Sequence, residues 1–200
     1  MDKELKKLVF ATNNRHKLDE AREILAGRFE ILSLTDIGCS DDIPETAPDL
    51  KGNALIKARW IYDRYGYDCF ADDTGLMVDA LGGEPGVMSA RYAGPGHDSE
   101  ANMMKLLKNM EGSADRKAHF STAVVLIMEG KEYLFEGRVE GRIAETPGGE
   151  NGFGYDPVFV ADETGKRFAE MSAEEKNAIS HRGRAMRALA DFLDRGGLPR

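Results

Sequence analysis

Leu8-Val9-Phe10-Ala11-Thr12-Asn13-Asn14-Arg15-His16-Lys17-Leu18 is the stretch on which the fold turns. Its first four residues form an apolar run of strand length. Its centre is polar, and from Leu18 onward Leu18, Ala21, Ile24 and Leu25 recur with a helical period. The unit therefore reads as strand, turn, helix. It lacks the glycines of GxGxxG and the Walker GxxxxGK[ST] pattern, which sets aside the two commonest nucleotide folds.

Working outward, Phe29-Glu30-Ile31-Leu32 predicts a second strand, and the segment from Asp36 to Asp49, with prolines at 44 and 48, predicts a loop. A helix fits Leu50 to Tyr65, where Leu50, Ala54, Ala58, Ile61, Tyr62 and Tyr65 make one stripe ending at Gly66. Tyr67 to Ala71 reads as a third strand that stops at an acidic turn, Asp72-Asp73-Thr74-Gly75. Residues 82–96 are loop-like and 98–110 helical. Phe120 to Met128 and Glu132 to Val139 are expected as antiparallel strands around Glu129-Gly130-Lys131. A glycine-rich loop covers Gly148 to Gly154. The C-terminal part is helical and broken near Ser180, with a capping box at Ser172-Ala173-Glu174-Glu175 and an inner face of Met186, Leu189, Phe192 and Leu193. Alternating strands and helices followed by a hairpin predict an α/β fold with a mixed sheet, in a single domain spanning residues 1–200.

Composition narrows the function. A hydrophobic share of 42% with 31% charged residues is that of a globular chain, and a net charge of −8 argues against a nucleic-acid partner, because phosphate backbones demand a broad basic footprint. The charged start Met1 to Lys7 leads into an apolar run too short for a signal sequence, and no run has membrane-spanning length, so a cytoplasmic protein with no membrane partner is expected. Cys39 and Cys69 share no CxxC or Cys/His spacing and are expected as free buried thiols.

Several segments carry chemistry. A polar turn between a strand end and a helix start presents backbone N–H groups beside the positive end of a dipole, an anion site to which Thr12, Asn13, Asn14 and Lys17 would add donors; alternatively Asn14 only caps the helix and Lys17 is solvated. Asn53 and Lys57, four apart, share a helix face and form a second candidate phosphate contact, or else an ordinary solubilising face. Asp72 and Asp73 side by side call for compensation by a cation, and magnesium, which takes carboxylate and phosphate oxygens, suits them, with Glu45 able to add a carboxylate; the alternative is that Asp72 caps backbone donors at a strand-ending turn. Gly152-Phe153-Gly154-Tyr155-Asp156-Pro157 lets the backbone and a ring approach a flat ligand such as a purine, or pins a loop to the core. Lys176, His181 and Arg182 cluster donors suited to a keto edge, or form a basic helix junction.

With these segments laid out, the sequence resembles the inosine triphosphate pyrophosphatase family over about residues 8 to 193. The resemblance rests on Ala11-Thr12-Asn13 with Lys17; Glu45-Thr46; Asn53-Ala54 with Lys57-Ala58; Ala71 to Leu76; Pro85-Gly86-Val87 with Ser89 to Tyr92; Gly152 to Pro157; and Glu175-Lys176 with Ile179 to Arg182. It implies a magnesium-dependent hydrolase that converts ITP, dITP and XTP to the monophosphate and pyrophosphate. The implied fold is an elongated two-lobed α/β structure, with a curved mixed sheet flanked by helices and a central nucleotide cleft, in a homodimer. By the same resemblance Thr12, Asn13, Asn14, Arg15, His16, Lys17 and Lys57 would bind the triphosphate. Glu45 and Asp73 would hold the metal, with Asp72 left open as a further contact, and Asp73 would accept a proton from water. Thr74 would touch the nucleotide, Phe153, Gly154, Tyr155 and Asp156 would enclose base and sugar, and Lys176, His181 and Arg182 would read the 6-keto edge. Rival readings are a pyrophosphatase for pyrimidine or modified nucleotides and a non-catalytic nucleotide sensor. The chain departs from the family pattern at Ala47-Pro48, where many members have glycine, at Gly52, where many have glutamate, and at Thr74 and Met88.

Overall fold

The computed structural model describes residues 5–196; Met1 to Glu4, the first part of the charged start, lie outside them. Apart from the short strands β4 and β7, which were not expected, the elements follow the expected order: β1 (Lys6–Phe10), α1 (Arg15–Ile24), β2 (Phe29–Leu32), α2 (Leu50–Tyr65), β3 (Cys69–Val78), β4 (Pro85–Gly86), α3 (Ser99–Asn109), β5 (Lys117–Met128), β6 (Lys131–Ile143), β7 (Phe159–Ala161), α4 (Ala173–Ile179) and α5 (His181–Asp194). The strand order is β2-β1-β3-β5-β6-β7, with β4 also paired to β3. The sheet is mixed: β1 runs parallel to β2 and β3, whereas β3/β4 and β6/β7 are antiparallel. No helix among the described residues is long and apolar enough to cross a membrane.

The chain packs as two compact units. The first comprises residues through Asp73, Ala123–Glu136 and Gly183 onward. Its strands are covered on both faces, which is why they read as unbroken apolar runs rather than as alternations. On one face Leu8, Phe10 and Phe70 pack with Leu18 and Ala21 of α1 and with Met186 and Leu189 of α5. On the other, Val9, Ala11, Cys69 and Ala71 pack with Ala54, Ala58 and Ile61 of α2. Phe10 and Phe70, partners in the β1/β3 register, stack with ring centroids 4.4 Å apart. Cys39 and Cys69 are free and buried, and burial pushes the Cys69 thiol up to about 12, so it serves as an apolar core group.

The second unit comprises Thr74–Thr122 and Gly137–Arg182. Its core gathers Leu76, Leu106, Met110, Phe120, Phe159 and Phe168. The capping box at Ser172 forms as read: its hydroxyl accepts from the Glu175 N–H at 3.1 Å, and its own N–H donates to the Glu175 carboxylate at 2.9 Å. Ser180 ends α4, where the break was expected.

Three readings are corrected. There is no turn at Asp72-Asp73-Thr74-Gly75; β3 runs straight through it to Val78. Beyond Ala71 the strand gains a new partner, Leu76 and Met77 pairing with Gly86 and Pro85, which a reading confined to local punctuation misses. Gly75 is there for space, since a Cβ at this position would come 2.7 Å from the Gly86 carbonyl oxygen. The hairpin strands are longer than expected, and their loop is two residues, Glu129 and Gly130, with φ of 51° and 77°, the pattern of a type I′ turn. β7, in the apolar run after Pro157, was not anticipated; at three residues it is too short to show a period.

Candidate functional site

In the first unit β1 ends at Phe10, where the chain leaves the sheet to start α1. The edge of β3 beyond Phe70 is thereby uncovered, and side chains take over the bonding. Lys57 of α2 donates to the Asp72 carbonyl oxygen at 2.6 Å and to Glu45 Oε1 at 2.6 Å. Successive strand residues project to opposite faces, so Asp72 follows Phe70 toward α1 while Asp73 follows Cys69 and Ala71 toward α2. The contacts agree: Lys17 of α1 meets Asp72 Oδ1 at 3.0 Å, and Asn53 of α2 donates Nδ2 to Asp73 Oδ2 at 3.1 Å.

The electrostatics follow from burial. Asp72 and Asp73 are 1% and 8% exposed. The Asp73 carboxyl is pushed up to about 6, chiefly by desolvation; Lys57 opposes the shift and Glu45 adds to it. Burial works to lower the Lys57 pKa, but Asp72, Glu45 and Asp73 together outweigh it and hold the ammonium charged. The site is thus a set of carboxylates held together by two lysines.

The first turn divides in two. Asn14 caps α1, its side chain accepting from the Lys17 N–H at 3.3 Å, and Thr12 Oγ1 accepts from the Asn14 N–H at 3.1 Å. Asn13 Oδ1 accepts from both the N–H and the hydroxyl of Thr35, at 3.1 and 2.9 Å. Asn13, Asn14, Arg15 and His16 are exposed. Asn53 departs from the reading of a phosphate contact: it is fully buried, and its Oδ1 accepts from the Ala47 N–H at 2.9 Å while Nδ2 serves Asp73.

In the second unit the Gly152–Pro157 segment is closed by Asp156. Its Oδ2 accepts from the Phe153 N–H at 3.0 Å and from the Lys176 ammonium at 2.7 Å. Gly152 is obligatory, with φ 75° and a would-be Cβ 2.0 Å from Asp156 Oδ2. The Phe153 ring has Lys176 Nζ 4.5 Å from its centroid and the Arg182 guanidinium 5.5 Å away. Arg182, 2% exposed, donates to Thr74 Oγ1 at 3.3 Å, and Thr74 exchanges a hydrogen bond with Thr122 at 2.7 Å. The His181 ring stacks on Phe120 with centroids 4.6 Å apart. Phe153, Lys176, Arg182 and Thr74 are thus brought together.

Two residues of the enclosing set behave differently from the reading. Tyr155 is buried with its hydroxyl donated to the Ser89 carbonyl at 2.7 Å, which makes it a core anchor. Asp156 is 4% exposed, and its carboxylate orients Phe153 and Lys176. Sequence reasoning quoted Ser89 only as part of a motif and gave no role to its hydroxyl, which links the Leu76 N–H to the Gly86 carbonyl, and it missed Thr122, a lone threonine in a strand that carries no signal of its own.

Among the described residues no three His, Cys, Asp or Glu side chains gather into a ready metal cage. An ion beside Glu45 and Asp73 would have to complete its shell from substrate oxygens and water, which is the habit of magnesium.

Comparison with known proteins matches residues 8–192 to the model of the Ham1 family. A dITP/XTP pyrophosphatase of Flavobacterium johnsoniae is 54% identical over 94% of this chain and 97% of its own length. One of Porphyromonas gingivalis is 53% identical over 94% and 98%. The solved structure of the Staphylococcus aureus Ham1 protein, 36% identical, covers 96% of this chain and 100% of its own with a TM-score of 0.87.

Proposed function

Since the chain belongs to the Ham1 family, we propose that it hydrolyses non-standard purine nucleoside triphosphates, ITP, dITP and XTP, to the monophosphate and pyrophosphate. The observation that carries this reading is the pair of buried cations, Lys176 and Arg182, flanking Phe153. A purine stacked on the Phe153 ring would meet donors at its edge. A 6-keto oxygen accepts from them, whereas the 6-amino group of adenine would set N–H against N–H, a mismatch that supports discrimination.

Lys17 and Lys57 suit the triphosphate: each is an ammonium held on a carboxylate or carbonyl from which phosphate oxygens can recruit it. Glu45 and Asp73 are the residues that would hold magnesium, their all-oxygen character fitting a hard cation. Bound there, the ion would offset phosphate charge and make water more acidic. Asp73, with its carboxyl near 6, is suited to accept the proton as the water oxygen bonds to the α-phosphorus and the bond from that phosphorus to the bridging oxygen breaks, the electron pair leaving with pyrophosphate. Lys57 keeps Glu45 in place and Lys17 keeps Asp72 neutralised.

Pyrophosphate release measured across ITP, dITP, XTP, GTP, ATP and dUTP, with and without magnesium, tests the reading. Magnesium-dependent release from the first three, at least tenfold faster than from ATP and dUTP, is expected. Preference for dUTP, or binding without release, would replace it with a pyrimidine-specific enzyme or a sensor.

A further inference from the structure

We infer that Asn53 is a positioning residue of the hydrolytic site, a neutral clamp whose amide fixes Asp73 and the Glu45 strap to one another. The inference rests on the metal-and-base reading of Glu45 and Asp73, and concerns a residue whose side chain is wholly buried.

The geometry is specific to an amide. Asn53 sits one turn into α2, its backbone N–H bonded to the carbonyl of the capping residue Asp49 at 3.2 Å, so its Cβ is fixed by the start of the helix. Its side chain has no exposed surface. Nδ2 donates to Asp73 Oδ2 at 3.1 Å, and Oδ1 accepts the Ala47 N–H at 2.9 Å. One partner can only accept and the other can only donate, so the orientation of the amide is determined. Leucine satisfies neither partner. Aspartate keeps the acceptor for Ala47 but turns a donor into a second negative charge against Asp73.

The consequence lies in the strap. Ala47 is two residues from Glu45, in a segment without regular structure that would otherwise place a carboxylate poorly. Lys57, one turn further along α2, bonds Glu45 Oε1. The helix therefore offers two rungs: an ammonium that holds the Glu45 carboxylate and an amide that holds its backbone two residues on. The second rung is tied to Asp73 through the same side chain, so Asn53 sets the separation of the two groups assigned to the metal. Groups that orient ligands in this way typically matter by about 10- to 100-fold in metal affinity or activity.

The test combines exchange with kinetics on the full chain. In the metal-free, nucleotide-free wild type the Ala47 amide should be protected from hydrogen exchange by about 100-fold, as for a local rather than global opening. Asn53→Ala should lose about tenfold or more of that protection, raise the magnesium concentration for half-maximal turnover of ITP about tenfold, and leave KM for ITP at saturating magnesium within about threefold. Asn53→Asp should keep Ala47 protected and yet lose about 100-fold in kcat. An unprotected Ala47 amide in the wild type overturns the clamp with no variant needed, should either variant fail to fold. A raised KM for ITP in Asn53→Ala, with Ala47 exchange and magnesium demand unchanged, would instead make Asn53 a substrate contact. Normal turnover by Glu45→Gln and Asp73→Asn would overturn the acidic-site reading itself, and the Ala47 exchange pattern tells that failure apart from failure of the clamp.

Discussion

Asp72 and Asp73 are neighbours in sequence but belong to opposite faces of β3, the first bonded to Lys17 of α1 at 3.0 Å and the second to Asn53 of α2 at 3.1 Å. The adjacent carboxylates therefore do not share one partner, although both lie close enough to Lys57 to act on its charge. Asp72 is paired with a lysine, whereas burial raises the Asp73 carboxyl to about 6, which suits the base role proposed for it.

Asp73→Asn should abolish turnover of ITP and at the same time stabilise the metal-free protein at neutral pH. The Asp73 carboxyl is raised from 3.8 to about 6, chiefly by burial, with Lys57 opposing the shift and Glu45 adding to it. Below about pH 4 it is protonated in both folded and unfolded chains and contributes nothing. Between about 4 and 6 the unfolded chain ionises first, so stability falls as pH rises, and above about 6 the full cost of about 2–3 kcal/mol is present. Thermal unfolding in EDTA should show the gap between variant and wild type opening from pH 4 to 7.5. A constant gap would contradict the buried, strained carboxylate.

Lys57→Met removes the cation that Asp72, Glu45 and Asp73 share. Leaving buried carboxylates uncompensated should cost about 3 kcal/mol in the metal-free state. Because a divalent ion would restore the missing charge, magnesium should raise Tm more in the variant than in the wild type. Equal responses to magnesium would argue against metal binding among these carboxylates.

If the guanidinium beside Phe153 reads the base edge as proposed, Arg182→Ala should lower kcat/KM for ITP by about 100-fold while changing that for ATP far less. An unchanged ITP/ATP ratio in a folded variant would refute the base-reading role.

Gly52 and Ala47 are sterically linked. A Cβ at Gly52 would come 2.5 Å from the Ala47 Cβ and 3.0 Å from Asp49 Oδ1, so a side chain at 52 and a methyl at 47 compete for the same space. Gly52→Ala should cost about 1–3 kcal/mol, and adding Ala47→Gly should recover most of it. Purely additive unfolding energies in the double-mutant cycle would show the sites to be independent.

Read alone, the sequence revealed the helices and the longer strands in their order, the Ser172 capping box and the break at Ser180, because periodicity, caps and turn residues act over a few positions; the short strands β4 and β7 escaped it. The motifs from Thr12 to Arg182 also pointed to side chains that the structure gathers, Lys17, Glu45, Lys57, Asp72 and Asp73 in one unit and Thr74, Phe153, Lys176 and Arg182 in the other. The length of β3 was not legible, because its continuation past Ala71 depends on pairing with Pro85 and Gly86, residues that no local signal connects to it. With the strand cut short, the alternation that sends Asp72 and Asp73 to different helices stayed hidden, and a shared acidic turn took its place. Tertiary structure likewise decided that Asn53, Tyr155 and Asp156 face inward: helix spacing fixes which residues share a face, but what meets that face is set by segments distant in the chain. What the sequence determined was the inventory of charges and amides; which carboxylate met a lysine and which met an amide was decided only when β3 was packed between α1 and α2, since burial and partner geometry set the protonation and the role of each.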